Sequence, residues 1–204
     1  QTQRAVENFQ ISDRRIPRTL IRSLGTIKKS AALTNYKLKR INFKTKNAIV
    51  KSCNEIISGK HDNQFVVDIF QTGSGTSTNM NTNEVISNRS NEILGHKIGE
   101  KFPIHPNDHV NLGQSSNDTF PTSINIAICL DLKEKLYPEL IALSKSLRKK
   151  VSEFKNIIKI GRTHLQDATP ITLGQEFSGY LNMVENSIDR IKDSEKYVRS
   201  LPQG

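Results

Sequence analysis

The chain has 204 residues, 35% of them hydrophobic, which supports one or two domains with a core and excludes a chain disordered throughout. Its formal net charge is +10, a value that raises the question of a nucleic-acid or other polyanionic partner. No apolar run approaches the roughly 18 consecutive residues of a membrane span, and the start lacks the basic-then-apolar pattern of a signal peptide, so a soluble chain in the cytoplasm or another reducing compartment is expected.

Residues 1–59 read as helices broken by turns, with Ile16-Pro17 and Gly25 interrupting the pattern and Ser58-Gly59 closing a segment whose apolar positions are Ile41, Ala48, Ile49, Cys53, Ile56 and Ile57. From Arg14 to Lys46 there are eleven Lys or Arg and no acid. Ile21, Leu24, Ile27 and Ala31 interleave these charges at helical spacing, so the preferred reading is a solvated helical face. Tyr36 and Phe43 are too few for a base-stacking platform, and nucleic acid is not an expected partner. Residues 60–70 end in Phe65-Val66-Val67-Asp68-Ile69-Phe70, which fits a strand or a buried connector equally.

A polar tract follows at residues 71–83, then a helix through Val85, Ile86, Ile93 and Leu94 with Gly95 as its C-terminal cap. Residues 103–121, with prolines and many Asn and Asp, read as a loop. Beyond Thr122 the positions Ile124, Ile128, Leu132, Leu136, Leu140, Leu143, Leu147 and Val151 form one long helical stripe, which Pro138 should kink or break. Next comes Gly161-Arg162-Thr163-His164-Leu165-Gln166-Asp167-Ala168-Thr169-Pro170, read as a polar lead-in to a second long helix. That helix carries capping-box spacing at Thr172 and Gln175 and an apolar face from Phe177 to Ile191. Long amphipathic helices with little strand content predict a mainly α fold containing a bundle. Cys53 and Cys129 lie in helical segments and are expected to be buried thiols, not a disulfide.

The three polar tracts carry the chemistry. Their hydroxyls, amides and glycines at helix starts are the groups that bind carboxylate or phosphate oxygens. Gly73-Ser74-Gly75-Thr76 lacks the spacing and the Lys-Ser/Thr ending of a P-loop, so a carboxylate fits better than a nucleotide. For Ser115-Ser116-Asn117 taken alone, helix capping is the plainer reading. His105-Pro106-Asn107-Asp108-His109 suits a turn and lacks a Cys partner, so no metal site is expected. His164, with an unperturbed pKa of about 6.5, is either a hydrogen-bonded structural histidine or a proton carrier.

Together, Gln71-Thr72-Gly73-Ser74-Gly75-Thr76-Ser77-Thr78-Asn79-Met80-Asn81, then His105-Pro106-Asn107-Asp108 through Gly113-Gln114-Ser115-Ser116-Asn117-Asp118, then Gly161 to Ala168, closely resemble the class II fumarases of the fumarase/aspartase superfamily. The resemblance covers essentially the whole chain. It implies substrate contacts at Ser74, Thr76 and Thr163, and carboxylate binding at Ser115, Ser116 and Asn117. It implies proton transfer on the water side of the reaction at His164. It also implies a secondary dicarboxylate site at His105, Asn107 and Asp108. Aspartases typically carry Gln where this chain has His164, which favours fumarase. The implied activity is reversible hydration of fumarate to malate, with no metal or organic cofactor, in a homotetramer whose active sites each draw on three subunits. The implied compartment is the cytoplasm, or the mitochondrial matrix in a eukaryote.

The implied architecture is an N-terminal mostly helical domain at residues 1–114, followed at 115–204 by the first long helices of a helical-bundle domain of the fumarase/aspartase type. The family's third signature, a Gly-Ser-Ser-x-Met-Pro-x-Lys-x-Asn loop carrying the serine base, is not in this sequence. These residues are therefore expected to be an incomplete chain, inactive as a hydratase by themselves. An ammonia-lyase acting on aspartate, or an inactive relative serving as a binding or assembly module, is the alternative.

Overall fold

The computed structural model describes residues 1–71 and 74–203, so Thr72 and Gly73 of the first polar tract lie outside the described residues. Helix α1 spans Thr2–Asn8, α2 Arg18–Lys37 and α3 Phe43–Ile57. Pro17 sits at the N-cap of α2, where its missing N–H costs nothing. Asn42 starts α3 by accepting the Thr45 N–H at 2.8 Å. Gly25 does not interrupt α2 but lies inside it. A Cβ there would come 3.2 Å from side-chain carbons of both Ile56 and Ile57, so glycine is what lets α2 and α3 approach so closely. Ile21, Ala48, Ile49, Cys53 and Ile56 form the centre of the core, joined by Phe65, Ile86, Ile104 and Val110 from later segments. Of the six apolar positions expected along α3 and its approach, only Ile57 is not buried.

Residues 60–70 hold no strand: a short 3-10 turn, Asp62–Gln64, leads into a connector in which Phe65 and Val67 are buried. The helix expected after the first polar tract begins inside it. Helix α4 runs Thr76–Ile93, and Ser77, Thr78, Asn79, Asn81, Thr82 and Asn83 are buried in its first turns. Some of the polar side chains on α4 serve backbone that no sheet or helix serves. Asn81 accepts the Val66 N–H at 3.2 Å and donates to the Gln64 carbonyl at 2.9 Å, while Asn91 bonds both the N–H and the C=O of Ile104, at 2.9 and 3.0 Å. Irregular connectors thus find on α4 the partners that buried peptide groups require. At its end, Gly95 at φ +87° donates to the Glu92 carbonyl and His96 to that of Asn91, a Schellman cap.

The expected loop at 103–121 is also shorter than the sequence suggested. Pro106–Val110 forms one π-helical turn, and α5, Ser116–Asp131, takes in Phe120 and Pro121. The long stripe does not break at Pro138. After α5 a π turn, Leu132–Leu136, sends the Tyr137 N–H five residues back to the Leu132 carbonyl, and α6, Tyr137–Glu153, starts with Pro138 in its first turn. Shifting the ladder by one residue places proline where no donor is needed.

The third tract is not a lead-in to a helix. It is an antiparallel hairpin of β1, Ile158–Thr163, and β2, Gln166–Thr172, with a bulge between Ile160 and Arg162. Helix α7, Leu173–Val198, follows with the expected reciprocal cap, Thr172 Oγ1 accepting the Gln175 N–H and Gln175 Oε1 accepting the Thr172 N–H. Tyr137 meets Glu195, Ser144 meets Glu185 and Phe154 meets Phe177, so α6 and α7 pack antiparallel. Contacts divide the chain into two compact units, Gln1–Ile128 with Ser200–Gly204, and Cys129–Arg199. Both cysteines are free; Cys53 is buried as expected, whereas Cys129 is only partly so. No helix among the described residues is long and apolar enough to cross a membrane.

An ion pair ties α3 to α4: Arg89 Nε and Nη2 donate to Glu55 at 2.6 and 3.1 Å, and His61 Nε2 lies 3.0 Å from the same carboxylate. The Arg89 hydrogen bonds, assisted by His61 against the effect of burial, hold the Glu55 carboxyl down at about 2. The stabilisation is present above the ordinary carboxyl range and is lost as pH falls through the folded value. Arg89→Met is expected to cost about 2 kcal/mol at pH 7. The gap to wild type should narrow as pH falls from about 4.5 towards 2. Urea unfolding of both chains at neutral and acid pH checks this, and a gap independent of pH contradicts it.

Candidate functional site

In the first unit, the start of α4 meets the start of α5. Ser74 Oγ lies 3.0 Å from Thr76 Oγ1, and Thr76 Oγ1 lies 3.0 Å from Ser116 Oγ, so three hydroxyls form a chain across the junction. Ser74 is exposed and the other two are half-buried. Each helix start carries the positive end of a dipole, and two such ends side by side favour an anion. Gly75 makes the junction possible. It is the N-cap of α4 at φ +72°, and a Cβ there would fall 2.2 Å from the ring of Phe120 on α5.

Ser115 is used differently from Ser116. Its hydroxyl accepts the Asn117 N–H at 3.2 Å, and its own N–H goes to Asp118 Oδ1 at 3.1 Å, a reciprocal cap on α5. The Asn117 side chain is exposed. Ser116 is thereby left pointing its hydroxyl at Thr76.

The loop that delivers these residues is tied from below by a residue the sequence reading assigned to the solvated basic face. Lys28, on α2, is fully buried. Its ammonium donates to Asn111 Oδ1 at 2.8 Å and to Gln114 Oε1 at 3.0 Å. Asn111 Oδ1 also accepts from Asn79 at 3.2 Å and Asn83 at 3.1 Å, both on α4. The side-chain oxygens of Asn79 and Asn83 have no donor among the described residues, and the Asn83 amide also reaches Met80 Sδ at 3.5 Å. Burial pushes the Lys28 ammonium down to about 7, opposed by the fields of Cys53 and Asp118; burial also pushes the Cys53 thiol up to about 12. A signal for Lys28 was in the sequence: it falls on the stripe Ile21, Leu24, Lys28, Ala32, Asn35, all buried.

The secondary group is self-contained. His105 Nδ1 accepts the N–H groups of Asn107 and Asp108 at 3.3 Å each, capping the π turn, and stands 3.2 Å from Asp108 Oδ2. Accepting both N–H groups requires an unprotonated Nδ1, so the contact with Asp108 becomes an ion pair only on protonation. Among the described residues no group of three or more His, Cys, Asp or Glu could hold a metal ion.

Thr163 and His164 belong to the second unit. Thr163 ends β1 opposite Gln166, and His164 and Leu165 form the two-residue turn at φ +49° and +61°. Both central residues left-handed define a type I′ hairpin, a conformation in which leucine is an outlier. Leu165 is 91% exposed, and Thr163 and His164 are exposed with it. The structure thus gathers Ser74, Thr76 and Ser116, gives Ser115 to helix capping, and carries the imidazole on the exposed turn of the β1–β2 hairpin.

Comparison with known proteins places these features in a family. A family model described as "Lyase" matches residues 1–204. The class II fumarate hydratase of Campylobacter jejuni is 52% identical over 204 residues, all of this chain and 44% of that protein. The mitochondrial fumarate hydratase of Saccharomyces cerevisiae is 53% identical over 206 residues, all of this chain and 42% of that protein. The crystal structure of recombinant class II fumarase from Schistosoma mansoni superposes with a TM-score of 0.95 at 47% identity, over 100% of this chain and 43% of that one. The chain spans less than half the length of these relatives.

Two outcomes follow. Gly75→Ala combines left-handed strain with a clash against Phe120 and is expected to cost at least about 2 kcal/mol and to part Thr76 from Ser116; a urea melt and a crystal structure of the variant check it, and an unchanged junction contradicts it. Between pH 7 and 9 the unfolded chain holds the Lys28 proton that the folded chain sheds, so stability should rise with pH across that window, until unfolded-state ionisation of Cys53 opposes it. Lys28→Met should lack that rise, and equal slopes in the two chains contradict the assignment.

Proposed function

The chain belongs to the lyase family, and on that premise we propose that its residues form the dicarboxylate-binding and water-handling part of a fumarate hydratase, which adds water reversibly to fumarate to give malate. The observation that carries this reading is the Ser74–Thr76–Ser116 hydroxyl chain at two helix starts. Removing the C–H proton of malate next to a carboxylate builds charge on that carboxylate, and preorganised hydroxyls and helix N–H groups stabilise it best where water is excluded. In this reading Ser74, Thr76, Ser116 and Asn117 bind carboxylate oxygens, and Ser115 sets the start of α5 that presents them. Thr163 contacts substrate, and His164 takes a proton from the entering water and returns it to the departing one.

His105, Asn107 and Asp108 supply a secondary dicarboxylate site, with the imidazole Nε2 left over once Nδ1 has capped its turn. No metal or organic cofactor takes part. The exposed hairpin tip supports active sites completed between copies in a homotetramer, as do the exposed apolar side chains of Ile141, Leu143 and Met183. A domain division at 114/115 puts the boundary where the polar loop ends, ahead of the point inside α5 where the compact units part. Cytoplasm, or mitochondrial matrix in a eukaryotic cell, fits two free thiols.

The third family signature is absent from these residues, so the purified chain alone is expected to leave the ultraviolet absorbance of fumarate unchanged. A chimaera in which the chain replaces the matching residues of the Campylobacter jejuni enzyme should hydrate fumarate, and His164→Asn in it should lower kcat by at least about 100-fold. Ammonia released from aspartate instead of malate formation would move the chain to the ammonia-lyases. A folded chimaera with neither activity would overturn the enzymatic reading.

A further inference from the structure

Among the buried groups, Lys28 is the one whose presence packing does not explain. A fully buried ammonium costs several kcal/mol, and among the described residues it forms no hydrogen bond or ion pair with a carboxylate. What it does contact is amides, and those amides belong to one loop. Asn111 and Gln114 accept its two hydrogen bonds, and Asn35, two helical turns further along α2, donates to the Leu112 carbonyl at 3.0 Å. Within the loop, Asn111 donates to the Gln114 carbonyl at 3.0 Å and Gln114 to that of Val110 at 3.0 Å. Asn79 and Asn83 on α4 converge on the same Asn111 oxygen. One ammonium therefore fixes α2, α4 and residues 110–114 to a common point, and the next residues in the chain are Ser115 and Ser116.

From this we propose that Lys28 is a positioning residue for the dicarboxylate site: through Asn111 and Gln114 it sets the height and register of the α5 start, so that Ser116 Oγ stands within hydrogen-bond reach of Thr76 Oγ1. The inference rests on the fumarate hydratase reading of that site. An apolar side chain would fill the space but leave the Gln114 side-chain oxygen without the Lys28 donor and the Asn111 oxygen held by the α4 amides alone, untying the loop from α2 at this point and freeing it to shift. While protonated, the Lys28 ammonium also adds to the field that draws in a dianion, opposed by Asp118 in the first turn of α5.

The test is Lys28→Met in the active chimaera, with Lys29→Met, at a half-buried neighbour outside the network, as control. Lys28→Met is expected to raise KM for fumarate at least tenfold, and Lys29→Met to leave it within twofold. A residue that serves stability alone would reduce the folded fraction, and with it the maximal rate, at unchanged KM; that result overturns the proposal. In the 204-residue chain itself, Lys28→Met should speed amide hydrogen exchange at 110–118 at least tenfold and leave 158–172 unaltered; unchanged exchange at 110–118 also overturns it. Should Lys28→Met not fold, Gln114→Leu, which removes one acceptor, decides the matter by the same two readouts, with a threefold rise in KM expected. A folded wild-type chimaera without hydratase activity counts against the fumarate hydratase reading, while the exchange measurement still judges the strut.

Discussion

The constraint on which the first unit turns is a buried ammonium that needs hydrogen-bond acceptors inside the core. Lys28 finds them in Asn111 and Gln114, and Asn111 also accepts from Asn79 and Asn83. Because an unpaired buried donor costs more than a made bond gains, the network locks three segments distant in sequence into one arrangement. Apolar packing of Ile49, Ile56 and Ile86 holds the helices together. The polar knot decides their register at the end where the hydroxyls of Thr76 and Ser116 meet.

Where the sequence was read by apolar period, it was read well. The stripe of α3, the Gly95 cap and the Thr172–Gln175 capping box all lie where periodicity and cap chemistry put them. The polar tracts hold too few hydrophobic residues to announce regular structure, yet α4 starts inside the first of them, and its Asn81 and Asn91 bond the backbones of connectors around Gln64, Val66 and Ile104. That is a tertiary reason for helix, and no local pattern contains it. Lys28 was missed because a basic run from Arg14 to Lys46 invites a solvated reading, although its position on the Ile21–Asn35 stripe argued otherwise. Gly25 was missed as a contact point because close approach between helices cannot be seen from one helix alone.

The hairpin is the other place where local expectation failed, and the failure bears on function. A polar stretch ahead of a long helix suggested a helix-terminus anion site around His164. Instead β1 and β2 pair, and the imidazole sits with Leu165 on a left-handed turn that leucine adopts only under strain. Strain at an exposed tip is tolerated where position matters more than stability. The candidate site residues are therefore divided: hydroxyls at helix starts on one unit, and the imidazole on an exposed hairpin turn of the other.

The central claim is that the polar interior exists to hold Thr76 and Ser116 together for a carboxylate. A crystal structure of the active chimaera with a bound dicarboxylate tests it most directly. The account predicts a carboxylate oxygen within hydrogen-bond distance of both hydroxyls, with the Lys28–Asn111 contact intact beneath them. A dicarboxylate bound in the active site with Thr76 and Ser116 still paired only to each other would contradict it.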